Sequence, residues 1–92
     1  MIKTFNHKGL KTFFETGSKA GIQPHHAPRL SAMLRRLNEA TNAKGMNLPG
    51  WGLHSLAANL AGHYSVCVNG NWRMTFTFDG EDAVLVDYQD YH

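Results

Sequence analysis

Apolar residues recur at two different periods along this chain, and the change of period splits it into a helical half and a strand-forming half. From about His7 to Thr16, Leu10, Phe13 and Phe14 fall at helical spacing. Gly17 is placed to end that helix, and Gly21 to keep the following chain out of helix. Gln23-Pro24 restarts it, because proline is tolerated in a helix's first turn. Ala27, Leu30, Leu34, Leu37 and Ala40 then follow at steps of three and four, with Met33 beside them, as one apolar stripe running to about Thr41. Arg29, Arg35, Arg36 and Asn38 fall mostly off the stripe. Ile2 to Phe5 reads as a short first strand, and the stretch Gly45 to Gly52, with Pro49-Gly50, as a loop.

Beyond the loop the period falls to two. Tyr64, Val66 and Val68 alternate with Ser65 and Cys67, and Trp72, Met74, Phe76 and Phe78 alternate with Arg73, Thr75 and Thr77. A third run, Ala83 to Tyr88, is mostly β-branched or aromatic, and Asn69-Gly70 and Asp79-Gly80 are hairpin signals between the runs. Residues directly opposite in a hairpin share a face, so register can be tested. A two-residue Asn69-Gly70 loop sets Val66 opposite Arg73. A three-residue loop, Asn69 to Asn71, sets Val68 opposite Trp72 and Val66 opposite Met74. Only the second puts both apolar sets on one side. It predicts Trp72, Met74, Phe76 and Phe78 under the helices and Arg73, Thr75 and Thr77 on the open face; the face of the third run stays ambiguous. The expected fold is α+β, two N-terminal helices packed on a three- to four-stranded, mainly antiparallel sheet.

Length adds a limit: 92 residues make one small domain, 1–92, with modest stability, since a domain of this size buries only about 60–65% of its unfolded surface. No apolar run approaches the roughly 18 residues of a membrane span, and Met1 to Phe5 has no signal-peptide core. A lone Cys67 excludes an internal disulfide and fits a reducing cytoplasm. A soluble, cytoplasmic protein is expected. The net charge of +2 hides an asymmetry. Residues 1–45 hold eight Lys and Arg against Glu15 and Glu39, a net of +6; residues 46–92 hold only Arg73 against five carboxylates, a net of −4. The basic half suits phosphate or an acidic protein, or is a helical surface solvated by its cations.

Few residues invite chemistry. Arg73 sits mid-strand among threonines, where a free guanidinium can grip a phosphate in a bidentate fork; the alternative is a surface ion pair, with Asp87 as a candidate partner. The segment Asp87-Tyr88-Gln89-Asp90-Tyr91-His92 brings an acid, a phenol and an imidazole together in its last three residues. An imidazole titrates near neutrality and is a natural proton carrier for phosphodiester cleavage, although a terminal histidine can also be a frayed end. His54, between Leu53 and Ser55, reads more readily as a partly buried, hydrogen-bonded residue than as a catalyst. His25-His26 and His63 lack metal-ligand spacing, so neither a metal nor another cofactor is expected. Cys67 has no cation nearby in sequence to make it a thiolate, and reads as a small hydrophobe. There is no glycine-rich phosphate loop and no serine-nucleophile elbow.

Three stretches together resemble the HigB branch of the RelE/ParE toxin superfamily: Met1 to Leu10, Val68-Asn69-Gly70-Asn71-Trp72-Arg73-Met74-Thr75-Phe76, and Asp90-Tyr91-His92. The Asn-Trp-Arg turn and the Asp-Tyr-His end are specific as a pair. The resemblance implies a ribosome-dependent endoribonuclease toxin that cuts mRNA in the A site of the 70S ribosome without a metal, the ribose 2′-OH attacking the neighbouring phosphate. It implies a helix-turn-helix, HigA-like antitoxin as partner, and operator DNA bound indirectly through that antitoxin. It matches Arg73 to a phosphate-stabilising arginine, Asn71 to an RNA contact, Asp90, Tyr91 and His92 to a terminal acid–base and positioning group, and His54 to a histidine of the same site.

One region departs from the pattern. The family reads something like Leu-His-Pro-Leu-Lys-Gly-Asp-Arg where this chain reads Leu53-His54-Ser55-Leu56-Ala57-Ala58-Asn59-Leu60. Ala57 stands where a catalytic lysine is expected and Leu60 where a phosphate-binding arginine is expected. A catalytically weakened or inactive toxin, acting by binding its antitoxin and co-repressing the operon, is therefore the alternative. A gyrase poison of the ParE kind has no need of the terminal acid–base cluster.

Overall fold

The computed structural model describes residues 1–57 and 60–91. Two helices, α1 (Lys8–Thr16) and α2 (Ala27–Glu39), precede a four-stranded antiparallel meander of β1 (His54–Ser55), β2 (Tyr64–Asn69), β3 (Trp72–Asp79) and β4 (Asp82–Asp90), in that spatial order. The expected α+β arrangement is the observed one. Helix α1 begins on His7, whose Nδ1 accepts from the Leu10 N–H at 2.9 Å, and ends on Gly17 at φ +81°, whose N–H reaches Phe13 O. That is the left-handed cap a glycine supplies without steric cost. Helix α2 follows a 3-10 turn, Pro24–His26, and stops at Glu39, two residues before the expected end, because Ala40 turns extended at ψ 144°.

The stripe of α2 is the core. Leu30, Met33, Leu34 and Leu37 are buried against Val66, Met74, Phe76 and Val86 of the sheet, with Leu10 from α1 and Met46 from the loop. Each such side chain contributes roughly 1.5–3 kcal/mol by leaving water. Met74 and Phe76 lie under the helices as expected, and Trp72 and Phe78 are half-buried at the ends of the same row.

The β2–β3 register holds with one correction. Val66 pairs with Met74, but Trp72 pairs with Asn69 rather than Val68, and the loop is the two residues Gly70 and Asn71. A bulge between Cys67 and Asn69 takes up the extra residue. One inserted residue restores the parity that a two-residue turn breaks, so both apolar sets still reach the core.

The expected first strand is only a pair of isolated bridges. Ile2 and Phe5 meet Ala83 and Val86 in parallel along the outer edge of β4. The ladder cannot run continuously because Leu85 adopts φ +55°, and its N–H is taken by Thr4 Oγ1 at 2.8 Å. The turn into β4 is Gly80-Glu81, after which Val86 and Tyr88 face the core and Asp87 and Gln89 the open side. Among the described residues no helix is long and apolar enough to cross a membrane.

One backbone contact sets how α1 meets the loop leading to α2. A Cβ on Gly9 would lie 2.6 Å from Gly21 O, and one on Gly21 would lie 2.5 Å from Gly9 Cα. Backbone cannot yield as a side chain can, so Gly9→Ala is expected to cost about 1–3 kcal/mol as overpacking. For a domain of this size each kcal/mol lowers Tm by roughly 4–8 °C. Lys11→Ala, at an exposed position of the same helix, is the control substitution; thermal unfolding of G9A no lower than that of wild type would contradict the contact.

Candidate functional site

The sheet face turned away from the helices gathers the polar residues. Pairing runs His54 to Ser65, Ser65 to Thr75 and Thr75 to Asp87, one row across all four strands. The next row runs Cys67 to Arg73 to Gln89. Beyond the end of β4 the Tyr91 N–H donates to Asn71 O at 2.8 Å, so the ladder continues and alternation sets Tyr91 with Gln89.

His54 is exposed on this face, not partly buried, since β1 is a two-residue edge strand. It is hydrogen-bonded as expected. Its Nδ1 lies 3.0 Å from Gly52 O and its Nε2 3.2 Å from Ser65 Oγ. A carbonyl only accepts, so the neutral ring carries its proton on Nδ1 and presents the Nε2 lone pair to the Ser65 hydroxyl. The tautomer that can take up a proton at Nε2 is thereby selected.

Arg73 is half-buried, and its Nη1 donates to Gly70 O at 2.8 Å and Trp72 O at 3.2 Å. The same nitrogen lies 3.3 Å from Cys67 Sγ. Cys67 therefore has a cation against its sulfur, contrary to the expectation from sequence, because the strand register pairs residues six apart. The ion pair with Asp87 does not form. Asp87 stands opposite Thr75, and its carboxylate accepts from Tyr88 N–H at 2.9 Å and Gln89 Nε2 at 2.7 Å. The Arg73 guanidinium thus faces the open sheet with a neutral partner, Gln89, across from it.

Not every expected site residue shares that face. Asp90 pairs with Trp72, which places it on the helix side; burial, and to a lesser degree the Asp90 charge, push the Tyr88 phenol above its ordinary value. Asn71 is exposed in the β2–β3 turn, and Tyr91 is exposed beside it. Ala57 is exposed, and Leu60 is 37% exposed, an apolar surface residue where the family pattern has a cation. His92 lies outside the described residues, as do Ala58 and Asn59 of the β1–β2 connection.

Two features escaped the sequence reading. Arg29, off the apolar stripe, donates from Nε and Nη2 to Cys67 O at 3.2 and 3.1 Å, and from Nη2 to Gly50 O at 2.7 Å. Helix α2 is thereby tied to the loop that orients His54 through Gly52; no spacing rule marks such an arginine. His26 is only 2% exposed, and its Nδ1 meets the Tyr88 hydroxyl. Here a signal existed, since His26, Leu30, Met33 and Leu37 continue one helical stripe. Around this pair Trp72 stacks on Tyr88 at 4.5 Å, and His7 meets Tyr88 edge-on at 5.4 Å.

A family model described as RelE-like toxin of type II toxin–antitoxin system HigB matches residues 3–92. The chain belongs to the HigB-like toxin family. It is also 39% identical, over the full length of both proteins, to a Proteus vulgaris protein named endoribonuclease HigB. A type II toxin is one half of a pair, so an antitoxin is the partner that membership implies. In this HigB-like chain Arg73 and His54 share one open face.

The buried His26–Tyr88 pair makes stability depend on pH. Burial, and then the neighbouring His25, push His26 below its ordinary value near 6.5. Tyr88, raised mainly by burial, stays neutral through this range. The unfolded chain therefore binds a proton that the folded chain resists. The contribution is full above about pH 6.5 and is lost as pH falls through the lower folded-state value. Wild type is expected to lose Tm between pH 7 and 5 more steeply than His26→Gln. Parallel losses in the two proteins, followed by thermal unfolding across that range, would remove His26 as the cause.

Proposed function

We propose that this toxin is an endoribonuclease that cuts mRNA in the ribosomal A site and so arrests translation. It is held in check by a helix-turn-helix antitoxin, through which it also reaches operator DNA. The arrangement of Arg73 and His54 on one open face carries the reading, and the name of the Proteus vulgaris relative agrees with it. An antiparallel sheet face without helices over it can admit an extended RNA strand. A guanidinium in its middle meets the phosphate where negative charge builds.

The reaction needs no reagent beyond the RNA itself. The 2′-oxygen attacks the adjacent phosphorus while its proton leaves to a base. The P–O5′ bond breaks and the departing 5′-oxygen takes up a proton. The products are a 2′,3′-cyclic phosphate and a free 5′-OH. The Nε2 lone pair of His54, selected by Gly52 O, suits the base. His92, with Asp90 and Tyr91 near it in sequence, is assigned the proton for the leaving oxygen. Asn71 beside Tyr91 is assigned a contact with the RNA. No step calls for a metal or other cofactor, and the toxin acts in the cytoplasm, where ribosomes are.

Removing Arg73 takes away charge stabilisation of the transition state, and comparable losses cost about 10²–10³ in rate. Arg73→Ala is therefore expected to cut a defined mRNA on 70S ribosomes about 10²–10³-fold more slowly with folding retained, as read by mapping cut ends over time. Cleavage at the wild-type rate would remove Arg73 from the chemistry.

A second reading rests on Ala57 and exposed Leu60, which leave the β1–β2 connection without the family's two cations. On that reading the chain binds its antitoxin and helps repress the operon without cutting. The Ala57→Lys variant separates the two. Cleavage by the unaltered chain, increased in A57K, supports a working enzyme of reduced power. Cleavage only in A57K places the loss at that position. Antitoxin binding without cleavage by either supports the binding role.

A further inference from the structure

We propose that a cleft of about 390 Å³ on the helix side of the β2–β3 turn binds a backbone phosphate of the same RNA, one or two nucleotides from the scissile one. This rests on the endoribonuclease reading and extends it to a second RNA contact.

The cleft is lined by His25, His26, Arg29, Asn69 and Gly70, among others, and among the described residues no carboxylate lines it. Its walls thus include one guanidinium and two imidazoles. Arg29 uses Nε and Nη2 on backbone carbonyls, which fixes the guanidinium while leaving Nη1 outside those bonds. His25 is exposed, with its ring centroid 4.2 Å from that of His26.

The second observation is an orphan donor. The Gln23 N–H donates to the Tyr88 hydroxyl oxygen at 3.4 Å, and Tyr88 has one proton to give, to His26 Nδ1. Burial keeps His26 neutral, so its own proton sits on Nε2. Among the described residues that buried Nε2 has no hydrogen-bond partner. Buried polar groups are paired in the great majority of cases, so a donor left alone beside a cationic cleft calls for an oxygen acceptor.

Position makes the acceptor an RNA phosphate. Gly70 belongs both to this cleft and to the site, since its carbonyl holds Arg73 on the opposite face. A strand lying across the open face and rounding the exposed Gly70-Asn71 turn passes from Arg73 to Arg29. Consecutive phosphates of an extended strand can then be held on the two sides of one turn.

The test uses the full chain and a single-stranded hexamer carrying 2′-deoxyribose at every position except the 3′-terminal one, so that no linkage in it can be cut. Histidine-ring and arginine Nε NMR signals are followed as it is added, with inorganic phosphate in a parallel titration. Concerted, saturable shifts at His25, His26, Arg29 and Arg73 are expected, with His25→Ala weakening the hexamer about 3- to 10-fold. Shifts at Arg73 alone would overturn the cleft and leave the nuclease reading standing. Shifts of the cleft by inorganic phosphate but not by the hexamer would make it a small-anion site and overturn the RNA assignment. No shift anywhere with the hexamer would overturn the cleft, and the nuclease reading would then stand or fall on cleavage at the ribosome. An unchanged affinity in H25A, a substitution at an exposed side chain, would remove His25 from the contact.

Discussion

The molecule depends on β3 being hydrogen-bonded along both edges. Residues 72–76 pair with β2 on one side and with β4 on the other, so their side chains must alternate between two environments. Met74 and Phe76 anchor the core, while Arg73 and Thr75 are delivered to the opposite face by the same backbone. Core and site are therefore two readings of one strand. A register slip by one residue would bury a guanidinium and expose a phenylalanine together, and burying an unpaired charge costs several kcal/mol. The hydrophobic side of β3 is what holds Arg73 in place.

The β2–β3 turn concentrates the remaining constraints. The Cys67 peptide is held at both ends, its N–H donating to Trp51 O at 2.7 Å and its carbonyl receiving Arg29. The loop that supplies Trp51 also supplies Gly50 O to Arg29 and Gly52 O to His54. Arg29 is thus a positioning residue for His54 through one short stretch of backbone. Gly70, at φ +55°, closes the turn and offers its carbonyl to Arg73. The guanidinium proposed to meet a phosphate is already constrained by neutral carbonyls, which orient it without neutralising its charge.

Much of this was legible in the sequence because it follows from periodicity. The helical stripe from Ala27 to Ala40 and the alternation in β2 and β3 specify which faces are buried, and Gly17 marks a helix end by its conformation. What stayed hidden has physical reasons. The bulge at Val68 leaves the apolar parity unchanged, so the pattern cannot distinguish it from a longer loop. Leu85 at positive φ interrupts the edge of β4 although leucine carries no signal for that conformation. The Cys67–Arg73 contact exists only once the hairpin register is fixed. The terminal triplet reads in sequence as one cluster, but alternation sends Asp90 to Trp72's side and Tyr91 to Gln89's. The resemblance named these residues without showing which side of the sheet each occupies.

The absence of cations at Ala57 and Leu60 bears differently on binding and on rate. Both positions lie on the exposed connection between β1 and β2, away from the two-sided pairing that fixes Arg73. A cation on such a segment contributes to holding a polyanion, and that contribution is the same in ground and transition states unless the segment is fixed against the reacting phosphate. Uniform binding can be supplied elsewhere, for instance by the basic first half of the chain. Charge stabilisation at the reacting phosphate has to come from a preorganised group. Arg73 has that property by virtue of its strand, its carbonyl partners and its neutral neighbour Gln89. The fold therefore keeps the cation whose position is fixed by its core, and what it gives up lies where the core exerts the least control.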